Sequence, residues 1–188
     1  MIYFTSDTHV GHKNIISFCE RPFESTEHMN EALVYNWNST VKPEDTVYHL
    51  GDVSFMNKQK TLDICHRLNG NKKLIMGNHD LNRDVNFWYE CGFAEVWRLG
   101  YGATVEAEGF TLCHYPYRKD LSEYDHREYL YHHAPEPKGV LGAGTLVLLH
   151  GHVHRQWKTK YGMINVGVDV WDLKPVSIDV LQEIQPLT

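Results

Sequence analysis

Short apolar runs that stop at a polar residue recur along the chain. Residues 2–6 read as a strand ending at Asp7, residues 46–50 run into Gly51-Asp52, and residues 73–76 run into Gly77-Asn78-His79-Asp80. Between these runs the apolar spacing lengthens from two to near four. A helix is expected from Lys13 or Asn14, with Ile15, Ile16 and Phe18 apolar. A second opens at Thr26, read as a capped start, and turns Met29, Leu33, Trp37 and Val41 inward until Pro43 stops it. Residues 58–68 predict a third helix with Leu62, Cys65 and Leu68 on one face, and residues 82–90 a fourth, stopped by Gly92. Strand, polar turn and helix in succession are the pattern of a largely parallel sheet with its active residues at the C-terminal strand ends.

The second half has a different pattern. Residues 94–99, 103–107 and 110–114 predict short strands, with Glu108-Gly109 as a hairpin turn. Residues 115–144 are rich in Tyr, His and Pro and only weakly periodic, with a helix expected around 123–130. Residues 145–149 form a glycine-bounded apolar run that ends in His150-Gly-His152-Val-His154. The three histidines share a parity, so a continued strand would point them the same way. Residues 156–160, 163–166 and 176–180 are the remaining predicted strands. No internal repeat or linker interrupts the chain, which is expected to form a single domain over residues 1–188.

Composition narrows the chemistry. A net charge of -6 argues against a general nucleic-acid surface, which needs a basic footprint, and so against long nucleic acid as a partner. The 13 histidines favour metal chemistry. Cys19, Cys65, Cys91 and Cys113 form no C-x-x-C pair and read as reduced, buried thiols. With neither a signal-peptide pattern nor a membrane-length apolar run, a cytoplasmic protein that does not enter a membrane is expected. Nothing in the pattern specifies an oligomer.

Five polar clusters sit at predicted strand ends: Asp7-x-His9-x-x-His12, Gly51-Asp52, Gly77-Asn78-His79-Asp80, His114 and His150-Gly-His152-x-His154. Each alone has an ordinary reading, as a turn, a helix cap or a structural histidine. Their shared placement after apolar strands would carry them to one sheet edge. Asp7, His9, Asp52, Asn78, His114, His152 and His154 are more donors than a mononuclear zinc site uses, and fit two ions with one carboxylate bridging. Imidazole and carboxylate without thiolate suit Mn, Fe, Zn, Ni or Co better than Mg or Ca.

In order and composition these blocks resemble the calcineurin-like metallophosphoesterase superfamily, whose pattern is D-x-H, G-D, G-N-H-[DE], H, G-H-x-H. All five occur in that order between Asp7 and His154, and the chain looks like the small bacterial and phage members. The resemblance implies an α/β fold, a four-layer α/β/β/α sandwich of two mixed sheets. It implies two divalent transition-metal ions, Mn first, with Fe, Ni, Zn or Co as alternatives. Asp7, His9 and His154 would hold one ion, Asn78, His114 and His152 the other, and Asp52 would bridge them. His79 would be catalytic, with Asp80 orienting it, and His12 and His150 would contact substrate or support the ligands.

The reaction implied is hydrolysis of a small phosphodiester, with a nucleotide as first candidate, by a bridging hydroxide, His79 protonating the leaving oxygen. A phosphomonoesterase or pyrophosphatase is the alternative, and a non-catalytic binding scaffold a more distant one. The protein-phosphatase branch continues G-D-x-x-D-R-G, where this chain has Gly51-Asp52-Val53-Ser54-Phe55-Met56-Asn57, which speaks against a phosphoprotein substrate. Directly after His114, residues 115–133 interleave aromatics with cations, a composition that stacks rings and grips phosphate. Arg118 and Arg127 are the phosphate candidates, and the plainer reading is an amphipathic cap. Beyond His154, Asn165 and Asp169 are candidates for orienting the histidines, and Trp171 and Asp172 read as part of a turn.

Overall fold

Period-two alternation in two sets of strands decides the layers. The computed structural model describes residues 1–124, 127–137 and 146–184. In the first sheet β1 (Ile2–Thr5), β2 (Thr46–His49), β3 (Asn71–Ile75) and β4 (Phe93–Trp97) run parallel, and β10 (Val176–Ser177) pairs antiparallel with β1. In the second, β6 (Phe110–Leu112), β7 (Leu148–His150) and β9 (Met163–Asn165) are parallel neighbours, edged by antiparallel β5 (Val105–Ala107) and β8 (Thr159–Lys160).

Phe4, Tyr48, Leu50 and Ile75 from the first sheet meet Phe110, Leu112, Leu149 and Ile164 from the second, which makes the inner core. Neighbouring residues of opposite parity face outward. Leu74 and Met76 pack on Met29, Leu33, Ile64, Phe87 and Trp88, beneath α2 (Thr26–Thr40), α3 (Lys58–His66) and α4 (Val85–Glu90). Leu148 and Met163 pack on Leu121 and Leu130 of α5 (Arg118–Tyr124) and α6 (Glu128–Tyr131). The result is the expected four-layer sandwich of two mixed sheets.

Local chemistry moves several boundaries. The first helix, α1, runs over Lys13–Phe18 as expected. Ser25, not Thr26, caps α2, its side chain accepting from the His28 N–H. The inward residues of α3 are Thr61, Ile64 and Cys65, while Leu62 and Leu68 only flank the core. The expected helix at 82–90 divides into a 3-10 turn, Asp80–Asn82, and α4, because the Asp84 carboxylate caps the Phe87 N–H at 2.8 Å. The expected strand at 176–180 stops after two residues: Ser177 caps Val180, and α7 (Ile178–Glu183) follows.

The helix expected at 123–130 falls partly at 125–126 and the strand start at Thr145, both outside the described residues. Glu108 and Gly109 both have positive φ, 55° and 82°, the conformation of a type I′ hairpin turn. All four cysteines are free and buried. Among the described residues no helix is long and apolar enough to cross a membrane.

Candidate metal centre

Parallel strands deliver their C-terminal loops to one edge, and here two sheets do so side by side. Ser6, just past β1, forms a parallel bridge with Gly167, just past β9, and Val10 bridges Ser54. The loops after β1, β2 and β3 thereby meet those after β6 and β7. The contact is close enough to require glycine twice. A Cβ on Gly151 would collide with Ser6 Oγ and Asp7 Oδ2, and one on Gly77 with Asp52 Oδ1 and His114.

Two groups of donors, all buried except the partly buried His154, converge there. Asp7, His9 and His154 can bring ligand atoms within 4.8 Å of one another, and so can Asp52, His114 and His152. Asp52 stands between them, its Oδ2 3.4 Å from His9 Nε2 and 3.6 Å from His114 Nε2. Asn78 Oδ1 joins the second group, 3.1 Å from His114 Nε2 and 3.0 Å from His152 Nδ1. Asp7 Oδ1 and both ring nitrogens of His9 are buried without a hydrogen-bond partner. Unsatisfied buried polar atoms of this kind are costly, and a cation would relieve them. Oxygen and imidazole donors in this arrangement fit divalent cations.

The backbone is bent to hold them. Asp7, His9, Asp52, His152 and His154 all have left-handed φ, between 48° and 69°. Each costs on the order of 1–3 kcal/mol and persists only where its surroundings over-determine it. The restraints are present. The Asp7 N–H donates to Gly51 O at 2.9 Å and the His9 N–H to Asp52 O at 3.0 Å. The His152 N–H donates to Asp7 Oδ2 at 2.9 Å. For this reason the shared parity of His150, His152 and His154 does not point them together. β7 ends at His150, which is fully buried beside Trp157, and the two histidines beyond it turn into different donor groups.

The supporting residues come from distant parts of the chain. Asp80 is fully buried and accepts the N–H groups of Asp52, Val53 and Gly77, so its carboxylate shapes two ligand loops rather than bonding the His79 ring. Arg21 is buried and donates to Asp7 O at 2.7 Å, to Thr8 O at 2.8 Å and to both Asp169 oxygens. Asp169 in turn stands 3.0 Å from His154 Nδ1. Asn165 holds the His154 carbonyl through its Nδ2 at 2.6 Å. His49 accepts the Gly51 N–H at Nδ1, which leaves Nε2 to donate to Thr8 Oγ1 at 3.0 Å.

Electrostatics reflect the crowding. Burial pushes His9 down to about 3 despite Asp7, and also lowers His114. Burial, then the charge of Asp7, pushes Asp52 well above the usual carboxylate range. Burial opposes ionisation of Asp7 too, but His9, His154 and His114 outweigh it and hold that carboxyl well below its ordinary value. Burial likewise opposes the charge on His154, yet hydrogen bonds to Asp169 and Cys19 and the charge of Asp7 lift it to about 11. The charges of Asp7 and Asp52 oppose one another, while His9 and His114 are driven toward the neutral form in which imidazole binds metal.

His79 lies at the mouth, its side chain 40% exposed and its Nε2 4.0 Å from Asp52 Oδ2. His12 packs its ring against Phe55, with centroids 4.1 Å apart. Arg127 is exposed, and its charge acts on both Asp52 and His79. Arg118 is engaged elsewhere, tying Tyr131 O and Glu136 into the cap. Sequence reasoning did not single out Arg21, His49 or Phe55. Nothing local marks Arg21 or His49. Phe55 carried one signal, an aromatic ring where the G-D-x-x-D-R-G pattern has its second acid.

No family model matches the chain. The uncharacterized protein MJ1445 of Methanocaldococcus jannaschii is 32% identical, over 96% of this chain and 88% of its own length. The gene 66 protein of Mycobacterium phage D29 is 30% identical, over 94% of this chain and 92% of its own. Among solved structures, a protein of unknown function from Aquifex aeolicus, AQ665, is 30% identical with a TM-score of 0.64, covering 97% of this chain and 98% of that one.

Proposed function

We propose that this chain, which belongs to one family with MJ1445 and the gene 66 protein of phage D29, is a metal-dependent phosphoesterase acting on a small phosphodiester. One observation carries the reading: two buried donor groups share Asp52 between them, with Asp7 Oδ1 and His9 left unsatisfied. The ordered motif blocks, which resemble the metallophosphoesterase pattern, add to it. Asp7, His9 and His154 would hold one divalent cation and Asn78, His114 and His152 a second, with Asp52 shared. When bound, such a pair supplies Lewis acidity, polarising phosphoryl oxygens and acidifying water near neutral pH.

The chain's own groups do the rest. Neutral Asn78 leaves the second group less negative than a carboxylate would. Arg127 brings positive charge to the mouth, where a phosphate oxyanion would sit. Burial, with the nearby charge of Arg127, pushes His79 down to about 4, so at neutral pH it rests as uncharged imidazole. In that form its ring N–H can donate to the ester oxygen. The negative charge of a bound phosphoester is what would allow it to take up a proton and pass it to the leaving oxygen.

The test is hydrolysis of bis-p-nitrophenyl phosphate beside p-nitrophenyl phosphate after metal stripping and add-back of Mn, Ni, Co, Zn or Mg. Turnover of the diester faster than the monoester, restored by Mn, is the expected result. A monoester preference would favour the phosphatase alternative, for which the charge of Arg127 gives some ground, and no turnover with any metal would remove the esterase reading. In the same assay His79→Asn is expected to keep its bound metal and lose roughly 10²–10⁴-fold in turnover on esters with poor leaving groups.

A further inference from the structure

Phe55 is an exposed apolar ring among the site's imidazoles. It is 39% exposed, and its centroid lies 4.1 Å from that of His12, 4.6 Å from His79 and 5.2 Å from His9, on which it stacks at 23°. It is held rigidly: its N–H donates to Val10 O at 2.8 Å, and the preceding Ser54 pairs with Val10 in the bridge between the two loops. On its outer side His12 leads to Phe18, 6.4 Å further and 71% exposed. A series of rings, inclined to one another by 33° to 54°, thus leads outward from the candidate proton donor.

We infer that Phe55 is a specificity-determining residue, the stacking platform for a planar aromatic group carried on the phosphoester, a nucleobase or an aryl ring. The inference rests on the phosphoesterase reading and names its substrate class. A ring packed only to cover His9 would be buried, whereas this one stays partly exposed beside His79, where an ester substituent would leave. Covering its exposed part removes apolar area from water, and ring-on-ring stacking tolerates any planar group. A base set off from phosphorus by a sugar and an aryl group attached directly are the two ways a ring would reach Phe55.

Titration calorimetry on the manganese-loaded full chain tests this in two arms, adenosine 5′-monophosphate against ribose 5-phosphate, and phenylphosphonate against ethylphosphonate. The ring-bearing member of at least one pair is expected to bind about tenfold tighter. Phe55→Leu, which keeps apolar bulk but not the flat face, should bring that ratio near one and leave the ringless probe unchanged. Phe55→Trp should preserve it. A ratio in the first arm alone identifies a nucleobase, and in the second alone an aryl group.

Equal binding within both pairs, no binding of any probe, or a ratio that survives Phe55→Leu would overturn the inference. So would loss of the ringless probe in Phe55→Leu, the mark of a merely structural role. Ester turnover by the same preparation judges the phosphoesterase reading separately. Turnover without ring-dependent binding leaves that reading standing, and ring-dependent binding without turnover removes it.

Discussion

Asp169 shows how much one side chain outside the donor groups can control. It holds His154 Nδ1 at 3.0 Å and is itself held by Arg21, which also grips the carbonyls of Asp7 and Thr8. Asp169→Asn is expected to weaken metal binding roughly 10–100-fold, measured as dissociation constants by calorimetry, with little change in fold. The same pair fixes a pH dependence. His154 is raised from 6.5 to about 11, so in the metal-free chain its stabilising contribution is complete below pH 6.5 and is lost as pH rises through about 11. Asp169 is lowered, burial being outweighed by His154 and Arg21, so its contribution holds above 3.8 and fades as pH falls. A cation on His154 must displace that proton. Metal affinity should therefore rise with pH across the neutral range, with close to one proton released per ion bound there, read from calorimetry in buffers of different ionisation enthalpy.

Among the elements, caps and close approaches carry the consequences. Ser25 caps α2, so Ser25→Ala should cost about 1 kcal/mol and Thr26→Ala clearly less, measured by urea denaturation. The apolar face of α2 was legible, because burial every four residues is a local pattern: Met29, Leu33, Trp37 and Val41 are all in the core. The choice between adjacent Ser and Thr as cap was not, since both can accept the same bond and only the helix's first turn decides. The loop joining β7 to the centre is tighter still. Gly151→Ala would drive a methyl group into Ser6 Oγ and Asp7 Oδ2, and is expected to lower metal affinity along with the melting temperature.

For the whole molecule, the centre is also a joint between the two sheets. Ser6 pairs with Gly167, and the His152 N–H donates to Asp7, so groups from both sheets converge on one acidic loop. Ions that bind only the folded chain should stabilise it by about 2.7 kcal/mol at a hundred times the dissociation constant. Chelation followed by calorimetric melting is expected to lower the melting temperature, and adding back Mn to restore it. A chain that melts identically with and without metal would contradict this.

What the sequence determined by itself was the chemistry of each loop and the period of each strand, because residue type and alternation are local properties. Donors of oxygen and imidazole type, their order along the chain and the inward face of α2 could all be read from it. What only the tertiary structure decided was which donor meets which. Parity would send His150, His152 and His154 the same way. Instead left-handed turns at His152 and His154 separate them: the His152 N–H donates to Asp7 from the other sheet, and Asn165 of β9 holds the His154 carbonyl. Arg21 and Asp169 lie 148 positions apart, and no local pattern announces their pairing. The direction of a side chain in a loop depends on strained backbone angles that distant contacts hold in place, and those contacts exist only once both sheets have packed.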